Sequence, residues 1–227
     1  MLKCEKQGCR TLKKYVLLFL FTLIFPLCAR AQTYTISVFG DSLTAGYGVE
    51  KTDSFPAQLV EFLYEDGYKT RVSNNSVTGD TTQKGLQRIS DVAAQMPDVI
   101  IIEFGMNDVI QGVPIETTEK NLARMISLAQ KNDIAVLLAG VSVPPIRKDV
   151  LPEDYADMYA ALAKKYDVPL YENILEGVAD YARNLYDPKL LGKDQMHPNE
   201  EGISVMVEGI LPQVKQILNA LDVKYAR

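Results

Sequence analysis

Val99 to Phe104 (VIIIEF) carries an unbroken β-branched run just after Pro97. A strand of this kind has to be covered on both faces, and strands covered that way belong to parallel sheets sandwiched between helices. The run predicts a central parallel strand. It also fixes what the rest of the chain must supply: further strands beside it, and helices to cover them.

The flanking sequence supplies both. Tyr34 to Phe39 alternates, with Tyr34, Ile36 and Val38 on one face, and ends at a Gly-Asp turn; Lys69 to Ser73, Ile134 to Ala139 and Val168 to Tyr171 read as further strands. Helical spacing predicts a helix at Ser54 to Asp66, capped by Asp53 or Ser54, with Pro56 in its first turn and Gly67 closing it. Others follow at Thr81 to Gln95 after an Asp80 cap, near Glu116 to Lys131, and near Glu153 to Tyr166. A last helix, Glu200 to Leu221, places Ile203, Val207, Ile210, Val214, Ile217 and Leu221 on one stripe, with Pro212 expected to kink or split it. Five strands alternating with helices, with no room for hairpins, specify an α/β domain whose site opens at the carboxyl ends of its strands. Residues 172 to 198 have the least regular pattern. No linker and no repeat divides the 227 residues, so a single domain is expected.

The N-terminus stands apart from this pattern. Lys3, Lys6, Arg10, Lys13 and Lys14 face one acid, Glu5, and then Tyr15 to Leu27 is apolar apart from Thr22. Thirteen such residues at about 1.5 Å each span roughly 20 Å, short of a hydrocarbon core of about 30 Å. The segment reads as a signal peptide, with Ala29-Arg30-Ala31 as the small-x-small cleavage site: residues 1–31 are the leader and 32–227 the mature domain. Cys28 follows Phe25-Pro26-Leu27, which lacks the small residue expected ahead of a lipidated cysteine. The protein is expected to be exported, to a periplasm or outside the cell, with no stable membrane span after cleavage.

Cleavage removes all three cysteines, six of the 24 basic residues and one of the 29 acidic ones, leaving 18 basic against 28 acidic and a net charge near −10. An exported chain without cysteine depends on its core for stability, not on disulfides. The acidic balance argues against nucleic acid as a partner. One histidine, His197, is too few for a zinc or copper site, and no carboxylate loop motif for calcium occurs, so no metal is expected.

Phosphate-binding motifs fail as well: there is no G-x-x-x-x-G-K-[ST], and Gly46-Tyr47-Gly48 is followed by Lys51 where a third glycine should stand. What does follow the first strand is Gly40-Asp41-Ser42-Leu43, placing a serine at the sheet's carboxyl edge. A serine needs a base to act as a nucleophile, and His197 in Asp194-Gln195-Met196-His197-Pro198 is the candidate, with Asp194 placed to accept its ring N–H. Acyl transfer also needs donors for a developing oxyanion. Gly79, after the second strand, lets its backbone N–H approach a substrate closely, and Asn107, after the central strand, offers an uncharged amide; the Ser42 backbone N–H is the third donor. Taken singly, each residue has a blander reading. Ser42 would be a helix cap, Asn107-Asp108 a loop cap and Gly79 a turn glycine, while Asp41, Asp80 and Asp108 read as capping and loop-fixing residues.

Jointly, Ser42 in GDSL, Gly79 in VTGDTT, Asn107 in GMND and His197 in DQMHP resemble the four motifs of the SGNH, or GDSL, hydrolase family, over about Ile36 to Gly202. GDSLTAGYG, SVTGDTTQKGLQR and HPNEEG are most similar to its exported acyl-CoA thioesterase, lysophospholipase and arylesterase subgroup. The resemblance implies a flavodoxin-like three-layer α/β/α fold with a five-stranded parallel sheet of order 2-1-3-4-5. It further implies Asp194 as third triad member, no metal and no organic cofactor. Met106 departs from the subgroup, which often has glycine there. The function expected is that of a serine esterase acting on carboxylic esters or thioesters through an acyl-enzyme, with a small acyl ester or lysophospholipid-like substrate, as a monomer. Loop position and hydrophobicity offer Val109, Ile110, Val113 and Pro144 as an acyl pocket. A carbohydrate O-acetylesterase, or a non-catalytic glycan- or lipid-binding module on the same fold, are the alternatives.

Overall fold

The β-branched run forms β3 (Val99–Glu103), in which every residue is buried. In the computed structural model, which describes residues 33–146 and 151–225, β3 lies at the centre of the sheet. It pairs with β1 (Thr33–Phe39) on one side and β4 (Ala135–Ala139) on the other, with Ile101 opposite both Val38 and Leu137. β2 (Lys69–Asn74) lies outside β1 and β5 (Leu170–Tyr171) outside β4, giving the order β2-β1-β3-β4-β5 with every pair parallel.

Among the described residues seven helices connect and cover these strands: α1 (Ser42–Ala45), α2 (Phe55–Glu65), α3 (Thr82–Ala93), α4 (Met106–Gln111), α5 (Ile115–Lys131), α6 (Pro152–Tyr166) and α7 (Glu200–Tyr225). The chain steps outward from β1 to β2, then returns past β1 to β3 and continues to β4 and β5. Crossovers between parallel strands are right-handed, so this reversal sends α2 to one face and α3, α5 and α6 to the other. The packing agrees, with α2 against α7, α3 against α5, and α5 against α6. The reversal also parts the loops after β1 and β3, and a sheet of this kind places its site in that opening.

The remaining differences from expectation are local. Asp80 does not cap α3: the cap position is Thr81, and the Asp80 carboxylate is held by Arg88 instead. Pro212 does not split α7, which runs unbroken through it. Pro212 is solvent-exposed, so the carbonyl that its missing N–H leaves free is on the side open to water. Residues 172 to 198 do contain a ribbon, β6 (Ala179–Asp180) antiparallel to β7 (Leu185–Tyr186). The expected leader, 1–31, lies outside the described residues, and Gln32–Arg227 is one compact unit. Among the described residues no helix is long and apolar enough to cross a membrane.

Candidate active site

Ser42 is the first residue of α1, at the carboxyl end of β1. The preceding Asp41 caps that short helix, its Oδ1 accepting the Leu43 N–H at 3.0 Å. This is the capping role expected of Asp41, and it fixes the backbone on either side of Ser42.

The partner comes from the far end of the sequence. The loop before α7 closes on itself: the Gly192 N–H donates to the His197 carbonyl at 2.7 Å, and the Tyr181 hydroxyl donates to the Met196 carbonyl at 2.5 Å. This tight turn brings Asp194 back over His197. Asp194 Oδ1 accepts the backbone N–H groups of Met196 and His197, both at 3.0 Å, and Oδ2 takes the imidazole Nδ1 at 2.7 Å. Partial burial works against the Asp194 charge. The bonds from the His197 ring and from the two backbone N–H groups outweigh it and hold the carboxyl down to about 2. An ionised Asp194 can only accept, so Nδ1 carries the hydrogen and Nε2 is left as an acceptor. Nε2 lies 2.9 Å from Ser42 Oγ. The three residues singled out from the sequence thus form one chain of hydrogen bonds.

The other two expected residues lie at neighbouring strand ends. Gly79 follows β2 with φ +80°, in the left-handed region, and no atom lies within 4 Å of where a Cβ would stand. Its loop is held by Arg88, whose Nε and Nη2 grip Asp80 Oδ2 at 3.0 and 2.7 Å while Nη1 donates to the Asn75 carbonyl at 2.9 Å. Asn107 is the second residue of α4, and its Nδ2 donates to Asp41 Oδ2 at 2.9 Å. Asp108 ties the two loops together. Its Oδ2 accepts the Thr82 N–H at 2.8 Å, and its Oδ1 accepts the hydroxyls of Thr82 and Thr118 at 2.5 and 3.1 Å. Burial pushes the Asp108 carboxyl up, opposed by these same bonds.

The four residues offered as an acyl pocket differ in exposure. Val109 belongs to the hydrophobic core at 2% exposure, whereas Ile110 on the same helix is 51% exposed; Val113 and Pro144 are half-buried. The cavity that borders His197, about 600 Å³, is lined by other residues, among them Tyr47, Gly48, Leu191, Lys193 and Pro198. Tyr47 packs on the imidazole with ring centroids 4.4 Å apart and planes at 46°. Sequence reasoning did not single out Tyr47. The only signal was an aromatic residue five positions after Ser42, in a loop whose partner lies 150 residues away.

Residues 38–203 match the model of the GDSL-like Lipase/Acylhydrolase family. The chain belongs to this family. As a GDSL-like acylhydrolase it is an enzyme, a serine hydrolase of ester bonds. Among curated relatives it is 35% identical to an arylesterase of Vibrio mimicus over 181 residues, covering 79% of this chain and 88% of that protein. It is 30% identical over 202 residues to thioesterase 1/protease 1/lysophospholipase L1 of Escherichia coli strain K12, covering 88% of this chain and 92% of the relative. The crystal structure of TesA superposes with a TM-score of 0.73 at 30% identity, over 82% of this chain and 99% of TesA. The GDSL-like family model spans Ser42, Gly79, Asn107, Asp194 and His197.

Proposed function

We propose that the protein is an exported esterase that hydrolyses carboxylic ester or thioester bonds through an acyl-enzyme. The observation that carries the reading is the hydrogen-bonded chain from Ser42 Oγ through His197 to Asp194, at 2.9 and 2.7 Å. Ser42 Oγ attacks the acyl carbon while its proton passes to His197 Nε2, and Asp194 stabilises the imidazolium. That proton then goes to the departing alcohol or thiol oxygen or sulfur. Water, giving a proton to His197, attacks the acyl-enzyme, and the carboxylic acid leaves as Ser42 recovers its hydrogen. The oxyanion of both addition steps is received by the backbone N–H groups of Ser42 and Gly79 and by the Nδ2 hydrogen of Asn107 that Asp41 does not hold.

The relatives named arylesterase and thioesterase/lysophospholipase support small acyl esters and thioesters as the substrate class. Export rests on the basic and apolar leader, and the mature chain would begin at Gln32, after Ala29-Arg30-Ala31. The test combines p-nitrophenyl esters of rising chain length, acyl thioesters and acetylated glycans with Ser42→Ala. Hydrolysis of acyl esters that falls at least about a thousandfold in Ser42→Ala, with a fluorophosphonate adduct on wild-type Ser42, supports the proposal. Full activity in Ser42→Ala overturns the mechanism. A preference for acetylated glycans overturns the substrate class, and absence of any adduct on Ser42 points to a binding module. The N-terminal sequence of the exported protein decides the cleavage site.

A further inference from the structure

Directly beneath the Ser42 turn lies a pair of buried carboxyl groups that the triad does not use. Glu103, the last residue of β3, and Asp41 are both inaccessible to solvent, and their side chains are in hydrogen-bond contact. Gly40 makes the approach possible, since a Cβ there would collide with Thr44 Oγ1 and with the carbonyl and carboxyl oxygens of Glu103. Glu103 Oε2 accepts the Asp41 N–H at 3.3 Å and the Thr44 hydroxyl at 3.2 Å, while Oε1 has no hydrogen-bond donor among the described residues. Asp41 is better supplied: Oδ1 takes the Leu43 N–H at 3.0 Å and Oδ2 the Asn107 amide at 2.9 Å. Of the other titratable groups, His197 acts on Asp41 from across the site, and the charges of the pair bear on the buried Tyr159 of α6.

Two carboxylates in contact in a dry interior cannot both keep their charge. The charge settles on Asp41, where the donors are closer and reach both oxygens, and the proton on Glu103, whose two donors are longer, share Oε2 and leave Oε1 bare. A protonated Glu103 is then itself a donor, and the carboxylate it touches is Asp41. We propose that Glu103 acts as a positioning residue for ester hydrolysis: as a neutral acid it donates to the Asp41 carboxylate, which holds the Asn107 amide and the Ser42 turn in place. The shift directions agree. Burial, then the neighbouring Asp41 charge, pushes Glu103 well above the usual carboxylate range, while Asp41, raised by burial and lowered by its donors, stands at about 6.

The inference rests on the proposed activity for its kinetic arm only, and a spectroscopic arm stands without it. In infrared spectra of the folded protein at pH 8, wild type is expected to show a protonated-carboxyl C=O band that is missing from Glu103→Gln. Absence of the band in wild type, or its persistence in Glu103→Gln, overturns the proposal. In ester hydrolysis Glu103→Gln, whose amide N–H replaces the acid as donor, is expected to keep kcat within about threefold. Glu103→Ala is expected to lose about tenfold or more in kcat with KM changed less than about twofold. Equal losses in the two variants, or an unaltered kcat in a folded Glu103→Ala, overturn it. If Glu103→Ala does not fold, as a thermal melt would reveal, Glu103→Gln and the spectrum decide. Wild type without esterase activity overturns the proposed function and leaves the infrared result to settle the carboxyl pair.

Discussion

His197 Nδ1 and Asp194 Oδ2 stand 2.7 Å apart on one loop, with the ring 18% exposed and the carboxylate 40% exposed. The acid therefore faces water on one side while holding the tautomer on the other. Asp194→Asn is expected to lower kcat by about a thousandfold or more, because an amide can present its NH₂ to Nδ1 and favour the wrong tautomer. The linkage sign follows from a native value of about 2 against an unfolded value near 3.9. Asp194 adds stability above pH ~4 that is lost as the pH falls toward ~2. Thermal melts across that window should fall less steeply in Asp194→Asn than in wild type.

Asp41 has the opposite sign. Its carboxyl stands at about 6 in the fold, raised first by burial, so between roughly pH 4 and 6 the native state holds the proton that the unfolded chain releases. Acidification from pH 7 to pH 4 therefore adds stability through Asp41. Over the same range hydrolysis falls, as Asp41 loses the charge that anchors Asn107. Melts and rates measured together should move in opposite directions, and Asp41→Asn should lack this contribution to the rise in stability.

Gly79 and Asn107 separate conformation from chemistry. Asn107→Ala removes one proposed oxyanion donor and is expected to cost about 10²-fold to 10³-fold in kcat with little change in KM. Gly79→Ala meets open space, so its penalty is conformational only: about 1 kcal/mol of stability for a non-glycine residue at φ +80°. A melt measures that penalty, and kcat reports whether the N–H still points at the substrate.

The Tyr47 ring on His197 predicts a graded pair. Tyr47→Phe keeps the packing and should hold kcat near wild type, whereas Tyr47→Ala should lose about 0.5–1.5 kcal/mol of ring contact and severalfold in kcat. A similar loss in both variants would assign the effect to the hydroxyl.

Much of this molecule is legible because it is written locally. The β-branched run at Val99 and the alternation at Tyr34 carry their own period, and the parallel order follows from the absence of hairpins between long elements. Ser42, Gly79 and Asn107 were readable because each sits just past such a strand, and His197 because no other imidazole exists. The misses share one cause. Glu103 hides in an apolar strand, Tyr47 in a turn, and Asp80 beside a helix start, and each takes its role from a residue that folding alone brings near. The ribbon at β6 and β7 and the helices α1 and α4 are too short to show a period. Val109, chosen for hydrophobicity, turned inward for the same property.

The unbroken α7 and the loop before it have a kinetic meaning as well. Ser42 and His197 are 155 positions apart in the chain and meet only across a completed sheet. Contacts of such long sequence separation form late, after the cost of closing the intervening chain has been met by strand pairing. A nascent or partly refolded chain therefore has a nucleophile without its base, and the regain of hydrolysis is a reporter of the last docking event, not of the first collapse.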